Sequence, residues 1–293
     1  MRVLLVADVH GNRAALEAVR EPHDVCLFLG DLVDYGPEPA ACVEWAREHA
    51  HYAVRGNHDH GVAQNVVVDG VGGFRFLTAA TRPHTVAALT PAQRRYLAEL
   101  PTSQLVTLGG KRFLLVHATP RDPMDEYAAA DPAFWTPRLA GLHVDYVCVG
   151  HTHQPYTLKV NGTTVINPGS VGLPRDGDPR AGYAVIDGDE VQLKRVEYPV
   201  DETVRAVQAA DFDPTAKQML SDLYRGGPFL ARWVKNGHAG TKNGNGVHTN
   251  GEVSGSRGGE VVKNGAENGT TLNGTTQNGT TVAHELPSPA AQA

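Results

Sequence analysis

Cysteine is scarce in this chain, with only Cys26, Cys42 and Cys148 in 293 residues. Three widely spaced thiols exclude a disulfide framework and a clustered thiolate metal site. They read as buried, reduced side chains. Long apolar runs are also missing, since none approaches the roughly 18 residues that a membrane span needs. The apolar start, Val3 to Ala7, ends in Asp8 without a small-residue cleavage site. It therefore reads as a strand and not as a leader. No basic block stands out and the formal net charge is −6, which argues against a dedicated nucleic-acid surface. What remains is 41% hydrophobic and 20% charged, an ordinary soluble composition that fits a cytoplasmic protein with one large core.

Apolar residues themselves become rare after Val234. Asn-Gly pairs recur from Asn236-Gly237 to Asn278-Gly279, with threonines around the later ones. Such pairs signal hairpins only between alternating hydrophobics, which are absent here. The segment cannot bury enough surface to offset its ordering entropy. The expected organisation is a folded domain over 1–234 and a disordered Asn/Gly/Thr-rich tail over 235–293.

The folded part alternates strand and helix signals. Strands are expected at Val3 to Ala7, Val25 to Leu29 and His51 to Arg55, with helices at Arg13 to Arg20 and Pro39 to Glu48. That βαβαβ rhythm implies a mainly parallel sheet. A helical stretch covers Phe74 to Leu100, where Thr90-Pro91 supplies an N-cap and a first-turn proline. Gly109-Gly110, Asn161-Gly162 and the turn after Asp187 mark three hairpins. Val144 to Val149 is a further apolar strand, and two short helices are expected between Asp201 and Leu223.

Five of the apolar runs end in polar clusters. These are Asp8-Val9-His10, Gly30-Asp31, Gly56-Asn57-His58-Asp59, the isolated His117, and Gly150-His151-Thr152-His153. Ligands gather at the carboxyl ends of strands in open α/β sheets. If the first strand runs on through His10, its period of two places Asp8 and His10 on one side. One Asp-x-His or His-x-His pair says little. Five such clusters point to a shared metal site built from oxygen and nitrogen ligands.

With Gly30-Asp31-Leu32-Val33-Asp34 included, the five blocks together resemble the calcineurin-like metallophosphoesterases, over about Met1 to Val200. Asp8-Val9-His10-Gly11-Asn12 and Asn167-Pro168-Gly169-Ser170-Val171-Gly172 look like the small bacterial phosphodiesterase branch. The resemblance implies an α/β (α+β) fold, a four-layer αββα sandwich of two facing mixed sheets with flanking helices. It implies a dinuclear centre: Asp8, His10 and His153 on one metal, Asn57, His117 and His151 on the other, and Asp31 bridging both. Mn²⁺ is the favoured ion, with iron, nickel, cobalt or zinc as alternatives for this ligand set. The implied activity is hydrolysis of phosphodiester or phosphomonoester bonds by metal-activated hydroxide. His58, oriented by Asp34, is the implied general acid.

Many protein phosphatases of this family carry arginine directly after the second aspartate. Here that place holds Tyr35, which weakens a serine/threonine protein phosphatase reading. Dinucleoside polyphosphates stay open as substrates. So does a small phosphoester in general, with no membrane partner and no assigned oligomeric state. Asn12, Tyr35 and Arg121 are the candidate substrate contacts, and Arg55, Arg175 or Arg180 are further candidates for a phosphate clamp. Tyr127 is expected in a wall of the site together with the segment that follows His117. Asp59 and His60 read as surface or supporting residues. A retromer subunit uses this fold as a non-catalytic scaffold, but lacks part of the histidine set that is complete here.

Overall fold

The computed structural model describes residues 1–227. The tail expected over 235–293, and the end of the 1–234 domain, lie outside the described residues. The elements follow the order β1 (Arg2–Val6), α1 (Arg13–Ala18), β2 (Val25–Phe28), α2 (Pro39–His49), β3 (Tyr52–Ala53), α3 (Asn57–Ala63), α4 (Gly73–Ala88) and α5 (Pro91–Glu99). Then come β4 (Ser103–Leu108), β5 (Lys111–Val116), α6 (Pro132–Leu139), β6 (Tyr146–Cys148), β7 (Tyr156–Val160), β8 (Thr163–Asn167), β9 (Ala181–Asp187), β10 (Glu190–Val196), α7 (Val200–Ala209) and α8 (Pro214–Tyr224). The three expected hairpins form, as β4–β5, β7–β8 and β9–β10. Thr90 caps α5 through a reciprocal capping box with Gln93.

Two five-stranded sheets result, ordered β10-β9-β1-β2-β3 and β4-β5-β6-β8-β7. Both are mixed: β1–β2–β3 and β5–β6–β8 pair in parallel, and the hairpins pair antiparallel. Strand alternation explains the layering. Val3 and Leu5 of β1 join Leu27 of β2, Phe113 and Leu115 of β5 and Ile166 of β8 in one buried cluster between the sheets. Their neighbours Leu4, Val6, Cys26 and Phe28 face the other way, onto Leu16 of α1 and Cys42, Val43 and Ala46 of α2. The outer face of the second sheet packs Val147 and Val165 against Trp135 and Leu139 of α6. Two sheets, each apolar on both faces, therefore sit between helical layers. All three cysteines are free and buried, as their spacing implied.

One helix escapes sequence reading. α3 has the sequence Asn-His-Asp-His-Gly-Val-Ala, too polar and too short to show a helical period. Asp59 makes it a helix start by accepting the Gly56 N–H at 3.1 Å.

Candidate metal centre

Every cluster sits just past a strand end, but strand alternation does not aim the first pair. β1 stops at Val6. Asp8 and His10 instead lie in the left-handed region, with φ of 54° and 47°, as do Asp31, His151 and His153. Non-glycine residues pay for that conformation, and such strain concentrates at functional sites. Backbone bonds hold the turns in place: Asp8 N–H to Gly30 O at 2.9 Å, His10 N–H to Asp31 O at 3.0 Å and Gly150 N–H to His117 O at 2.8 Å. The loop after β1 is thus tied to the loop after β2, and the loop after β5 to the loop after β6.

Two buried groups result. Asp8, His10 and His153 present one ligand atom each within 4.8 Å of one another, and so do Asp31, His117 and His151. Asp31 spans both, with Oδ2 3.7 Å from His10 Nε2 and 3.2 Å from His117 Nε2. Asn57, the first residue of α3, places Oδ1 3.2 Å from the same His117 nitrogen.

The tautomers are set by backbone carbonyls, which can only accept. Nδ1–H of His10 donates to Val33 O at 2.9 Å, that of His117 to Leu29 O at 2.8 Å and that of His153 to Leu173 O at 2.5 Å. Nε2 of each neutral ring is then a lone pair, the arrangement that metal-binding histidines adopt. His10 and His153 point these lone pairs at each other across 3.1 Å, a repulsive contact that a shared cation turns into an attractive one. Nε2 of His151 is buried with no hydrogen-bond partner among the described residues.

The electrostatics make the same demand. Burial raises the Asp8 carboxyl to about 7, helped by Asp31 and opposed by His117. Burial holds His10 and His151 neutral down to about 3. His117 behaves oppositely: burial disfavours its charge, but the adjacent Asp31 carboxylate prevails and lifts it to about 10. A metal-free centre thus balances Asp31 with a proton on His117. Divalent ions fit this donor set and would displace that proton. Calorimetric metal titrations near pH 7.5, run in buffers of different ionisation enthalpy, are expected to register about one proton released per chain. Binding without proton release would contradict the assignment of His117.

His58 lies beside the ligands on α3. Its Nδ1 is 2.7 Å from Asp34 Oδ2, and its ring meets His10 edge to face at 5.0 Å between centroids. Burial opposes its charge, yet Asp31 and Asp34 raise its pKa above the usual imidazole value. Sequence reading missed the second partner of Asp34. Arg82, from α4, donates Nε to Asp34 Oδ1 at 2.8 Å and Nη2 to Oδ2 at 2.5 Å. Against the cost of burial, hydrogen bonds from His58 and Arg82 lower the Asp34 pKa below the usual carboxylate value. No motif marks an arginine 48 positions from its carboxylate; only the packing of α4 brings it there.

Asp59 is wholly buried, and not a surface residue. Its oxygens accept Asp31 N–H and Leu32 N–H at 2.8 Å each, which fixes the backbone under the bridging carboxylate. Gly56 allows this approach, because a Cβ there would stand 2.0 Å from Asp31 Oδ1.

Two expected substrate contacts need correction. Asn12 is fully buried and its side chain is already spent. Its Oδ1 caps Ala15 N–H and accepts Thr203 Oγ1, while Nδ2 donates to Gly172 O and to the Tyr198 hydroxyl. No donor is left for phosphate. Tyr35 is 2% exposed. Its ring packs 4.7 Å from that of His10, and its hydroxyl lies 3.3 Å from His58 Nε2. It supports those two rings from behind and offers no surface to substrate. Arg121 is exposed on the loop after His117, with no hydrogen bond or ion pair among the described residues. Tyr127 packs against His151, with ring centroids 4.4 Å apart and planes tilted by 50°, while remaining 64% exposed.

The segment Asn167 to Gly172 fastens the two halves of the centre. Asn167 Nδ2 donates to Gly150 O at 2.7 Å, and Ser170 Oγ donates to Asp8 O at 2.7 Å. A Cβ on Gly172 would stand 1.7 Å from Val9 O. Gly172→Ala is therefore expected to push this loop away, with a loss of about 1–3 kcal/mol in stability and weakened metal binding at His153. Unchanged melting and metal affinity would count against this tight docking.

The family model for the calcineurin-like phosphoesterase superfamily domain matches residues 1–190. The chain belongs to that superfamily. This calcineurin-like phosphoesterase is 30% identical over 223 residues to an uncharacterized protein of Methanocaldococcus jannaschii, covering 68% of this chain and 88% of that one. It is 27% identical over 209 residues to phosphodiesterase YfcE of Escherichia coli, covering 66% and 91%. Among solved structures, a metallophosphoesterase from Sphaerobacter thermophilus superposes with a TM-score of 0.64 at 31% identity, covering 75% of this chain and 98% of that one. The expected fold, with two mixed sheets and flanking helices, is therefore the family's own, and the chain is a metal-dependent phosphoesterase. No helix among the described residues is long and apolar enough to cross a membrane.

Proposed function

We propose that this phosphoesterase hydrolyses small phosphodiesters at a dinuclear centre, with Mn²⁺ as the favoured ion, in the cytoplasm. The observation that carries the reading is Asp31, whose carboxylate reaches His10 in one ligand group and His117 in the other. Asp8, His10 and His153 would hold one ion, Asn57, His117 and His151 the second, and Asp31 both. Bound there, the pair would supply Lewis-acid charge and lower the pKa of an attacking water from 15.7 towards about 7.

The chain's own groups do the rest. Against the cost of burial, Asp31 and Asp34 favour the protonated form of His58, which donates its proton to the leaving oxygen. Arg82 fixes Asp34 on its other side, so the imidazole keeps one orientation. Tyr127 offers an exposed aromatic face beside His151. The likeness to the Escherichia coli phosphodiesterase supports the diester preference. So does the absence of arginine at position 35.

The test is turnover of bis-p-nitrophenyl phosphate against the monoester, across Mn²⁺, Zn²⁺, Ni²⁺, Co²⁺ and Fe²⁺. Faster diester hydrolysis with Mn²⁺ is expected. A strong monoester preference would move the assignment to a phosphatase, and no turnover with any ion would refute catalysis.

A further inference from the structure

Arg175 is not used by the chemistry described above, yet it rises from the loop that ties both ligand groups together. Two residues before it, the Leu173 carbonyl accepts Nδ1–H of His153, and Gly172 N–H donates to Asp8 O. The backbone leading to Arg175 is therefore fixed by the metal centre itself. Its guanidinium carbon lies 3.7 Å from the centre of the Phe74 ring. Phe74 packs on Tyr35, and Tyr35 packs on His10 and His58. A chain of edge-on and tilted ring contacts thus links the guanidinium to the rings of the site.

A stacked guanidinium uses only its face. Its N–H donors lie in the plane and are not used by the stacking. Arg175 Nε is buried with no hydrogen-bond partner among the described residues. The nearby acids are already taken, because Arg195 pairs with Asp176 and Arg180 pairs with Asp178. A half-buried arginine with an unpaired Nε edge is built for an oxyanion, since that edge and an adjacent Nη match two phosphoryl oxygens. Its charge reaches Asp8, His10, His151 and His153. The other clamp candidates are placed worse. Arg55 also has an unpartnered Nε, but its Nη1 is committed to Ala98 O at 2.9 Å; Arg180 is bound to Asp178, and Arg121 stands exposed.

We propose that Arg175 grips the non-bridging phosphoryl oxygens of the substrate, in the role that position 35 cannot fill. This rests on the phosphoesterase reading but is tested apart from it, with inorganic phosphate as the probe. Calorimetry of phosphate binding to the Zn²⁺-loaded full chain is expected to show at least tenfold weaker affinity for Arg175→Ala. Arg175→Lys, which keeps the charge without the planar edge, is expected to lie between. Zn²⁺ stoichiometry and melting temperature should stay at wild-type values in both. With bis-p-nitrophenyl phosphate, Arg175→Ala is expected to lose about 100-fold in kcat/KM, and added guanidinium should restore part of it. Phosphate affinity equal to wild type in Arg175→Ala would overturn the proposal. So would loss of phosphate binding only in company with lost Zn²⁺ or a collapsed melting temperature in both variants. If wild type binds phosphate through Arg175 yet turns over no ester, the clamp stands and the catalytic reading falls.

Discussion

Asp31→Ala is expected to lower metal-dependent turnover by at least about 1,000-fold, or about 4 kcal/mol of transition-state stabilisation, while the chain stays folded. The carboxylate is within reach of both ligand sets. Its loss separates them and leaves His117 without its counter-charge. Oδ1 also accepts His58 N–H at 2.9 Å, so the start of α3 loosens as well. The fold should survive, because the three apolar layers do not depend on Asp31. Metal analysis of the purified variant, beside its circular dichroism and bis-p-nitrophenyl phosphate turnover, checks this. Near-normal turnover would remove the bridge from the account.

The second large effect is expected at His58. His58→Ala should lower turnover about 10²–10⁴-fold for esters with alkyl leaving groups, but far less for p-nitrophenyl esters. p-Nitrophenolate leaves without a proton, and an alkoxide does not. Metal content should not change. The pH profile carries the sign. His58 must be protonated to act as an acid, and its pKa is raised above the ordinary imidazole value by Asp31 and Asp34 against the cost of burial. Wild-type turnover should therefore fall as pH rises through that raised value, and His58→Ala should lose this alkaline limb. Equal losses for alkyl and p-nitrophenyl esters would mean that His58 positions a ligand and donates no proton.

Much of this site is legible in the sequence because metal ligands are chemically restricted and cluster at strand ends. Asp8, His10, Asp31, Asn57, His117, His151 and His153 each announce themselves beside an apolar run, and the structure gathers them. What the sequence hides is support from a distance. Arg82 reaches Asp34 from the middle of α4, where an arginine looks like any solvated helical residue. Asp59 reads as either surface or support because α3 has no apolar period, and only the structure shows the side chain buried beneath Asp31. Asn12 fails in the opposite direction. A polar residue beside two ligands invites a substrate role, but the α1 N-terminus and Thr203 claim its oxygen, while Gly172 and Tyr198 claim its amide. Tyr35 fails likewise, since its left-handed backbone turns the ring inward under His10. In each case the sequence shows the functional group, and only the packing shows which way it faces.

The fold shows the same division. Turn chemistry and strand alternation mark the hairpins and both sheet faces. The conformations of Asp8 and His10 do not follow from alternation, because β1 has ended before either residue.

Two ions shared through Asp31 should be visible in a titration of metal-stripped full-length protein with Mn²⁺. Bound metal and bis-p-nitrophenyl phosphate turnover are followed together. Two ions per chain are expected, with turnover appearing only as the second is bound, and neither saturable binding nor turnover in Asp31→Ala. Full turnover at one ion per chain, or two ions held normally by Asp31→Ala, would contradict it.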